Sequence, residues 1–220
     1  MEDLLVVRTP LVNFHVLRDD DELFLIDAGF IGGESTLRKA LRGKGWEHLK
    51  IGGIIVTHGH LDHIFNVARL AEKHRAWIAA PRLDADHYVG KAKYRGWARV
   101  CGMLEAIGKR LPGFAAFTPD RLLDDGDVIE VWDGLKAVHL PGHTAGHMGF
   151  FSEARGLLFC ADLFASYERG AHFPPAIFNS EPAEMSGSLR KALSLGAKGI
   201  LTNHGDDSSP GNHLRRLQRL

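Results

Sequence analysis

The chain has 220 residues, with 27 basic and 27 acidic side chains and therefore a formal net charge of zero. That balance argues against a protein dominated by binding to nucleic-acid phosphates, and no apolar run approaches the ~20 residues of a membrane span. The acidic start Met1-Glu2-Asp3 lacks the basic residues of a signal peptide, and two cysteines cannot form a disulfide framework. We therefore expect a cytoplasmic globular protein with no membrane partner, in which thirteen histidines are the unusual feature of the composition.

The first eighty residues alternate between β-favouring runs and helical patterns. The opening runs are separated by Pro10 and by the acidic turn Asp19-Asp20-Asp21, which predicts an antiparallel meander. A continuous apolar run before Thr57 predicts a strand buried on both faces. The predicted strands cover residues 4–8, 11–17, 23–26, 53–57 and 77–80, and the predicted helices cover 36–42 and 66–75.

The segment 82–112 differs from its surroundings, because no strand-like alternation interrupts its helical spacing. It carries seven basic residues against three acidic ones. We expect one or two helices here, forming an insertion that caps the functional site or makes a dimer contact. Strands then resume over 128–132, 135–140, 148–151, 157–161 and 199–202, with a helix that begins near Pro182 and is ended by Gly196.

The order of these elements indicates the fold class. Antiparallel hairpins are mixed with helical crossovers, so a pure βαβ alternation is excluded. No repeat, low-complexity stretch or linker divides the chain. We therefore expect a single α/β domain over residues 1–220, in which two β-sheets pack face to face with helices outside.

Four candidate metal ligands lie within the motif Thr57-His58-Gly59-His60-Leu61-Asp62-His63. His58 and His60 are two residues apart on an extended segment, so their side chains point the same way and can bind one ion. Asp62 and His63 open the following helix and can turn to a second ion nearby. Imidazole together with carboxylate suits zinc, manganese or iron better than calcium or magnesium.

Three further polar residues lie at the ends of later strands. His143 lies in a turn between two predicted strands, and Asp162 and His204 closely follow the apolar runs 157–161 and 200–202. Loops at strand ends carry functional side chains on a rigid scaffold. Each of these residues alone is more often structural, but their recurrence together with the first cluster indicates a two-metal site.

Taken in this order, the motifs resemble those of the metallo-β-lactamase superfamily. The matching residues are His58-x-His60-x-Asp62-His63, Gly142-His143-Thr144, Asp162, Asn203-His204-Gly205 and the earlier Leu25-Ile26-Asp27-Ala28-Gly29. The resemblance implies an αββα four-layer sandwich of two mixed sheets flanked by helices, with a dinuclear metal site at one edge. It implies that one metal is bound by His58, His60 and His143 and the other by Asp62, His63 and His204, with Asp162 bridging both and Asp27 orienting a ligand loop.

The same residues can be compared with those of individual branches of the superfamily. β-Lactamases usually lack a bridging Asp at the position of Asp162, and flavodiiron proteins carry Glu at the position of His60. The form Gly142-His143-Thr144-x-Gly146-His147 is similar to glyoxalase II, although only sixteen residues follow His204, where glyoxalase II has glutathione-binding helices. Acyl-homoserine lactonases share all seven ligands, but Ala165 stands where their substrate-contacting Tyr is found.

The resemblance implies a hydrolase for ester, lactone or thioester bonds, with promiscuity that extends to phosphoesters. The nucleophile would be a hydroxide bridging two divalent ions, zinc in the first instance and manganese or iron as alternatives. Asp62 and Asp162 would orient this nucleophile and receive its proton. The aromatic stretch after Asp162 holds Tyr167, His172 and Phe173, which we expect to border a pocket for an apolar substrate; the alternative is that they only pack the loop.

Two other functions stay open at this point. A mononuclear iron persulfide dioxygenase on the same fold would use only His58, His143 and Asp162. An RNA- or phosphodiester-processing metallonuclease would use the basic segment 82–112, although the zero net charge argues against a nucleic-acid partner. We expect a small-molecule substrate and, as the default oligomer, a homodimer.

Overall fold

The computed structural model describes residues 1–220, which fall into two units. One unit contains residues 1–92 and 104–122, and the other contains residues 93–103 and 123–220. The strands form a six-stranded sheet, a five-stranded sheet and a two-stranded hairpin. Both large sheets mix parallel and antiparallel pairs and are accompanied by helices, which confirms the predicted α/β class with two mixed sheets.

The six-stranded sheet begins with the predicted meander. Its first three strands pair antiparallel in chain order, and the next two add in parallel, because a helix returns the chain to the same end each time. The sixth strand lies at the edge of the sheet, next to the fifth. The strands are β1 (Leu4–Val7), β2 (Phe14–Asp19), β3 (Glu22–Ile26), β4 (Lys50–Ile55), β5 (Trp77–Pro81) and β6 (Arg121–Leu123).

The core of the first unit lies where two helices pack on this sheet. Helices α1 (Gly33–Lys44) and α3 (Val67–His74) bury Leu37, Leu41 and Leu70 in one cluster with strand residues such as Ile54. Gly53 in β4 lets the neighbouring Trp77 ring approach, since a Cβ at Gly53 would lie 2.3 Å from that ring. This buried β4 supplies a rigid base for the loop that follows it.

The segment 82–112, predicted to be helical, contains four short helical elements. It contains α4 (Ala85–Tyr88), α5 (Arg99–Gly108) and two short 3₁₀ turns over 82–84 and 96–98. Tyr88 is fully buried, stacks on Phe117 and donates a hydrogen bond to the Pro81 carbonyl. Along α5 the apolar side chains of Met103 and Ile107 are exposed, whereas the polar Glu105 is buried. An amphipathic helix would bury its apolar side chains and expose its charged ones.

The five-stranded sheet lies in the second unit. Its order is β13-β10-β9-β8-β7, in which only the β10–β13 pair is parallel. Leu158, Ile200, Ala192 and Leu217 share its core with helix residues. The elements are β7 (Val128–Ile129), β8 (Leu135–His139), β9 (Met148–Ser152), β10 (Leu157–Ala161), α6 (Met185–Ser194), β13 (Gly199–Thr202) and α7 (Pro210–Leu217).

Some element boundaries differ from the sequence-based expectations for local reasons. The strand predicted over 128–132 ends at Ile129, because Trp132 and Asp133 have φ values of 53° and 64°, which a strand does not permit. The aromatic stretch after Asp162, for which no strand was predicted, contains a short hairpin of β11 (Ala165–Tyr167) and β12 (Gly170–His172). None of the helices combines the length and apolar character needed to cross a membrane.

Candidate metal centre

The first group of candidate ligands lies where β4 ends and the one-turn helix α2 (Leu61–Ile64) begins. His58, His60 and His63 are buried, whereas the Asp62 side chain is 32% exposed. A ring nitrogen of His58 lies within 4.8 Å of a ring nitrogen of His60, and His58 and His63 likewise have ring nitrogens within 4.8 Å of one another. An Asp62 oxygen and a His63 nitrogen also lie within 4.8 Å of one another. The loop therefore gathers all four of its predicted ligands.

Local backbone geometry explains this gathering. His60 is extended, with φ −70° and ψ 146°, so the side chains on either side of Gly59 point the same way. The N–H of His63 then donates to the His60 carbonyl at 3.0 Å and turns the chain into α2. This turn places the His63 ring 4.0 Å, centroid to centroid, from the His58 ring.

Asp27 holds the loop from the end of β3. Its Oδ1 accepts the Thr57 N–H at 2.8 Å, and its Oδ2 accepts the Thr57 hydroxyl at 2.7 Å. The same Oδ2 lies 2.8 Å from Nδ1 of His63, so it orients that imidazole and directs the Nε2 side of the ring towards Asp62. Asp27 is fully buried and has φ 64°, a strained conformation of the kind that functional sites retain.

Two further carboxylates contact the same loop, and the sequence did not point to either. Asp84 Oδ2 accepts the Gly59 N–H at 2.8 Å, and Glu105 Oε1 accepts the Leu61 N–H at 3.2 Å. Both acids are buried. In the sequence they are two of only three acids in a basic segment, which is the one signal that could have singled them out.

The second group of candidate ligands lies in the second unit and centres on Asp162. This residue directly follows β10, and His143 lies in the turn between β8 and β9. His204 lies two residues after β13. Nε2 of His204 is 3.0 Å from Asp162 Oδ2, and Nε2 of His143 is 3.4 Å from the same oxygen. Two imidazoles thus face one buried carboxylate.

Outer partners orient two of these ligands. Nδ1 of His143 lies 3.1 Å from Oδ1 of Asn179, whose amide nitrogen donates to the Pro174 carbonyl. The Asp162 N–H donates to Nε2 of His147 at 3.1 Å. Because Nε2 of His147 accepts, its Nδ1 carries the proton and donates to the Leu140 carbonyl at 2.9 Å. His147 therefore supports the loop that carries Asp162.

The backbone before Asp162 is also strained. Ala161 has φ 46°, and the pairing of β10 with β13 shifts register at this point. The Thr202 hydroxyl donates to the Ala161 carbonyl at 2.8 Å and so secures the distorted strand end. The distortion turns Asp162 out of the strand pattern, and such outliers cluster at functional sites.

Two of the three candidate pocket residues lie on the hairpin that follows Asp162. Tyr167 in β11 and His172 in β12 are diagonal neighbours on one face of the hairpin, and both are exposed. Phe173 follows β12 and is partly buried. Partial burial raises the pKa of the Tyr167 hydroxyl above its usual value, and the negative charges of Asp162 and Asp206 add to that rise.

The donor sets fit divalent transition-metal ions. The predicted ligands offer five imidazoles and two carboxylates, and a set rich in imidazole suits zinc, iron or manganese better than calcium. His63 and His143 each place one ring nitrogen against an outer oxygen acceptor, the usual arrangement of a metal-binding histidine. The chemistry of such a set is the activation of water and the stabilisation of developing negative charge.

Comparison with known proteins agrees with this chemistry. Residues 8–204 match the family model of the metallo-β-lactamase superfamily. The probable metallo-hydrolase YflN of Bacillus subtilis is 26% identical, over 98% of this chain and 88% of that protein. A hydroxyacylglutathione hydrolase of Aeromonas hydrophila is 31% identical over 86% of this chain, but the match spans only 60% of that protein.

Solved structures show the same fold. A metallo-β-lactamase family protein of Thermus thermophilus matches 100% of this chain and 78% of its own, with a TM-score of 0.77 and 21% identity. TTHA1623, solved in a di-iron-bound form, matches 98% of both chains with a TM-score of 0.71 and 25% identity. Because the family model covers most of its length, the chain is a metal-dependent hydrolase of the metallo-β-lactamase superfamily.

Proposed function

We propose that residues 1–220 form one catalytic domain with a dinuclear metal centre. In this assignment one ion is bound by His58, His60 and His143, the other by Asp62, His63 and His204, and Asp162 bridges both. The observation that carries the proposal is the pair of Nε2 atoms of His143 and His204 at 3.4 and 3.0 Å from one Asp162 oxygen. A carboxylate oxygen approached by two imidazoles from different loops is expected of a bridging ligand and is unusual in a purely structural role.

We further propose that the reaction is hydrolysis of an ester, lactone or thioester in a small molecule. When bound, two divalent ions lower the pKa of water and stabilise the negative charge that develops on the scissile oxygen. The protein's part is to orient the reactants. We assign to Asp62, which is partly exposed, the acceptance of a proton that leaves the attacking water, and to the buried Asp162, which faces two imidazoles, the orientation of that water.

The hairpin after Asp162 is our candidate for the substrate rim. Tyr167 and His172 share one face of it, and Phe173 adds an apolar surface at its end. The raised pKa of Tyr167 keeps its hydroxyl protonated at neutral pH, so it can donate a hydrogen bond to a carbonyl or to a leaving-group oxygen or sulfur. An apolar wall with few polar groups is the usual lining of a small-molecule site.

Among these bonds, the relatives favour the thioester. Several hydroxyacylglutathione hydrolases match this chain, although it spans only 55% to 60% of their length in the matches from Aeromonas and Chelativorans. We therefore propose a thioester or ester with a small acyl group and leave the alcohol or thiol part unassigned. Zinc is our first choice of metal, iron is supported by the di-iron form of TTHA1623, and a cytoplasmic homodimer stays a prediction.

A substrate panel on protein loaded with zinc, manganese or iron tests this function. The panel contains a lactoyl thioester, a lactone, aryl esters, a phosphodiester and a β-lactam. We expect turnover of at least one of the first three, lost in His143→Ala and retained in the control His48→Ala, which removes an exposed histidine. Turnover of the phosphodiester alone would contradict the proposal and favour the nuclease alternative.

A second candidate, the mononuclear iron persulfide dioxygenase, is the alternative that the resemblance to the superfamily leaves open; the two irons bound by TTHA1623 support only the choice of metal. This dioxygenase would use only His58, His143 and Asp162. Oxygen uptake with glutathione persulfide at one iron per chain, with no ester or thioester turnover, would replace the hydrolase proposal by this one.

A further inference from the structure

Three buried carboxylates bind three alternate N–H groups of the ligand loop. Asp27 accepts from Thr57 at 2.8 Å, Asp84 accepts from Gly59 at 2.8 Å, and Glu105 accepts from Leu61 at 3.2 Å. The donors are residues 57, 59 and 61, and the proposed metal ligands His58, His60 and Asp62 are the residues that follow them. Because β4 lies between β3 and β5, Asp27 after β3 and Asp84 after β5 hold the loop from opposite sides, and Glu105 binds it where α2 begins.

Asp84 fixes the peptide that joins His58 to Gly59. It lies in the first turn of the insertion, directly after β5, and is fully buried. The adjacent His87 packs beneath the same peptide, since a Cβ at Gly59 would lie 2.3 Å from the His87 Cβ. The glycine therefore lets the loop sit against the insertion, and the Asp84 hydrogen bond sets the orientation of that peptide plane.

Glu105 fixes the peptide that joins His60 to Leu61. It lies in the middle of α5, 44 residues further along the chain, and is buried. Its second oxygen accepts a hydrogen bond from Lys109 at 2.9 Å, one helical turn on, which fixes the orientation of the carboxylate. A Glu105 oxygen also lies within 4.8 Å of a His60 ring nitrogen, so its negative charge favours a cation at that imidazole.

We propose that Asp84 and Glu105 are positioning residues for the metal ligands His58 and His60, so that the insertion 82–112 is a working part of the metal centre. The proposal rests on the ligand assignment made above. Each acid restricts the backbone dihedral through which one imidazole is aimed, and together they place two negative charges behind the loop. Loss of such an outer partner typically weakens metal binding 10- to 100-fold.

Zinc affinity, measured by competition with a chromophoric chelator, tests the proposal, together with the absorption spectrum of the cobalt-substituted protein. Glu105→Ala/Lys109→Met removes the acceptor without leaving an unpaired lysine. We expect about 10- to 100-fold weaker binding and a changed cobalt spectrum. Glu105→Gln keeps an acceptor oxygen and should restore the spectrum while recovering only part of the affinity. Asp84→Asn should behave in the same way.

Glu34→Ala is the matched control, because Glu34 pairs with Arg69 and Lys73 in the same unit and does not contact the loop. It should leave metal affinity and spectrum unchanged. A folded Glu105→Ala/Lys109→Met variant with wild-type affinity and spectrum would overturn the proposal, provided that His60→Ala loses affinity in the same assay. If His60→Ala also binds zinc as the wild type does, the ligand assignment itself is wrong.

Discussion

The two groups of candidate ligands are held in opposite ways. The group after β4 has four ligands within six residues, and carboxylates from three distant segments hold its backbone. The group around Asp162 has three ligands from three separate loops. A neutral side-chain amide contacts His143, an imidazole accepts from the Asp162 N–H, and a hydroxyl secures the carbonyl of the preceding residue. Ligands that lie together in one loop need contacts from other segments to fix the shape of that loop. Ligands that come from separate loops are positioned by the strand ends to which those loops are attached.

The strongest test of this comparison replaces Asp162, the residue that both histidines of the second group contact. Asp162→Ala deletes the oxygen that faces His143 and His204. We expect kcat to fall about 10²- to 10³-fold, as the loss of several kcal/mol of charge stabilisation would produce. Steady-state kinetics with the best substrate of the panel measures it. Activity within a factor of three of the wild type would show that Asp162 does not bridge the metals.

Asp27→Ala and Asn179→Ala compare the two kinds of support. Asp27 accepts from the Thr57 N–H and hydroxyl and orients His63, so its loss should weaken zinc binding about 10- to 100-fold and destabilise the fold. Asn179 contacts His143 through one neutral hydrogen bond, and we expect at most about a 10-fold loss. Chelator competition and urea unfolding measure both. Equal losses would contradict the distinction drawn between charged and neutral support.

Gly59→Ala tests the packing of the contiguous loop on the insertion. The added Cβ would lie 2.3 Å from the His87 Cβ, so the loop or α4 must move. We expect a destabilisation of about 1–3 kcal/mol, the usual cost of overpacking. The control is Gly43→Ala in α1, where no atom lies within 4 Å and alanine should stabilise by about 0.5–1 kcal/mol. Similar unfolding midpoints for the two variants would show that the loop tolerates displacement.

The smallest expected effect concerns the segment that carries His204. Burial opposes ionisation of the nearby Asp206, but hydrogen bonds from Arg216 and from Ser208, including its backbone N–H, outweigh it and lower the pKa of Asp206 to about 2. A carboxyl whose pKa is lowered on folding stabilises the protein above its unfolded value near 4, and this contribution is lost as the pH falls towards 2. We expect about 1–2 kcal/mol, allowing for partial exposure.

Unfolding of the metal-free protein between pH 6 and pH 2 measures this contribution. Asp206→Asn should be less stable than the wild type at pH 6, and the difference should vanish near pH 2. If the difference in free energy of unfolding between the two proteins stayed constant over this range, the charge of Asp206 would not contribute to stability.

The contrast between the two groups also explains what could be predicted from the sequence. The loop ligands were accessible to spacing arguments, because His58 and His60 alternate on an extended segment and Asp62 and His63 open a helix. His143, Asp162 and His204 needed the resemblance to a family, since no local spacing relates them. The apolar run 157–161 and the run before His204 predicted strands, and β10 and β13 lie at those positions.

Other features depended on tertiary contacts that no local pattern encodes. Glu105 is buried on α5 while Met103 and Ile107 are exposed, the opposite of what helical amphipathicity predicts. The hairpin Ala165–His172 and the end of β7 at Ile129 are set by turn conformations, including φ 53° at Trp132, that residue preferences alone do not specify. These are also the places where functional or strained residues override local rules.

The central claim is that the two groups together bind two metal ions, and metal content per chain tests it most directly. Purified wild-type protein, His60→Ala and His204→Ala are loaded with zinc, dialysed and assayed by elemental analysis, so that one ligand is removed from each group in turn. We predict close to two ions per chain in the wild type, close to one in each variant, and loss of hydrolysis in both. One ion per chain in the wild type, with full activity in His204→Ala, would contradict the account.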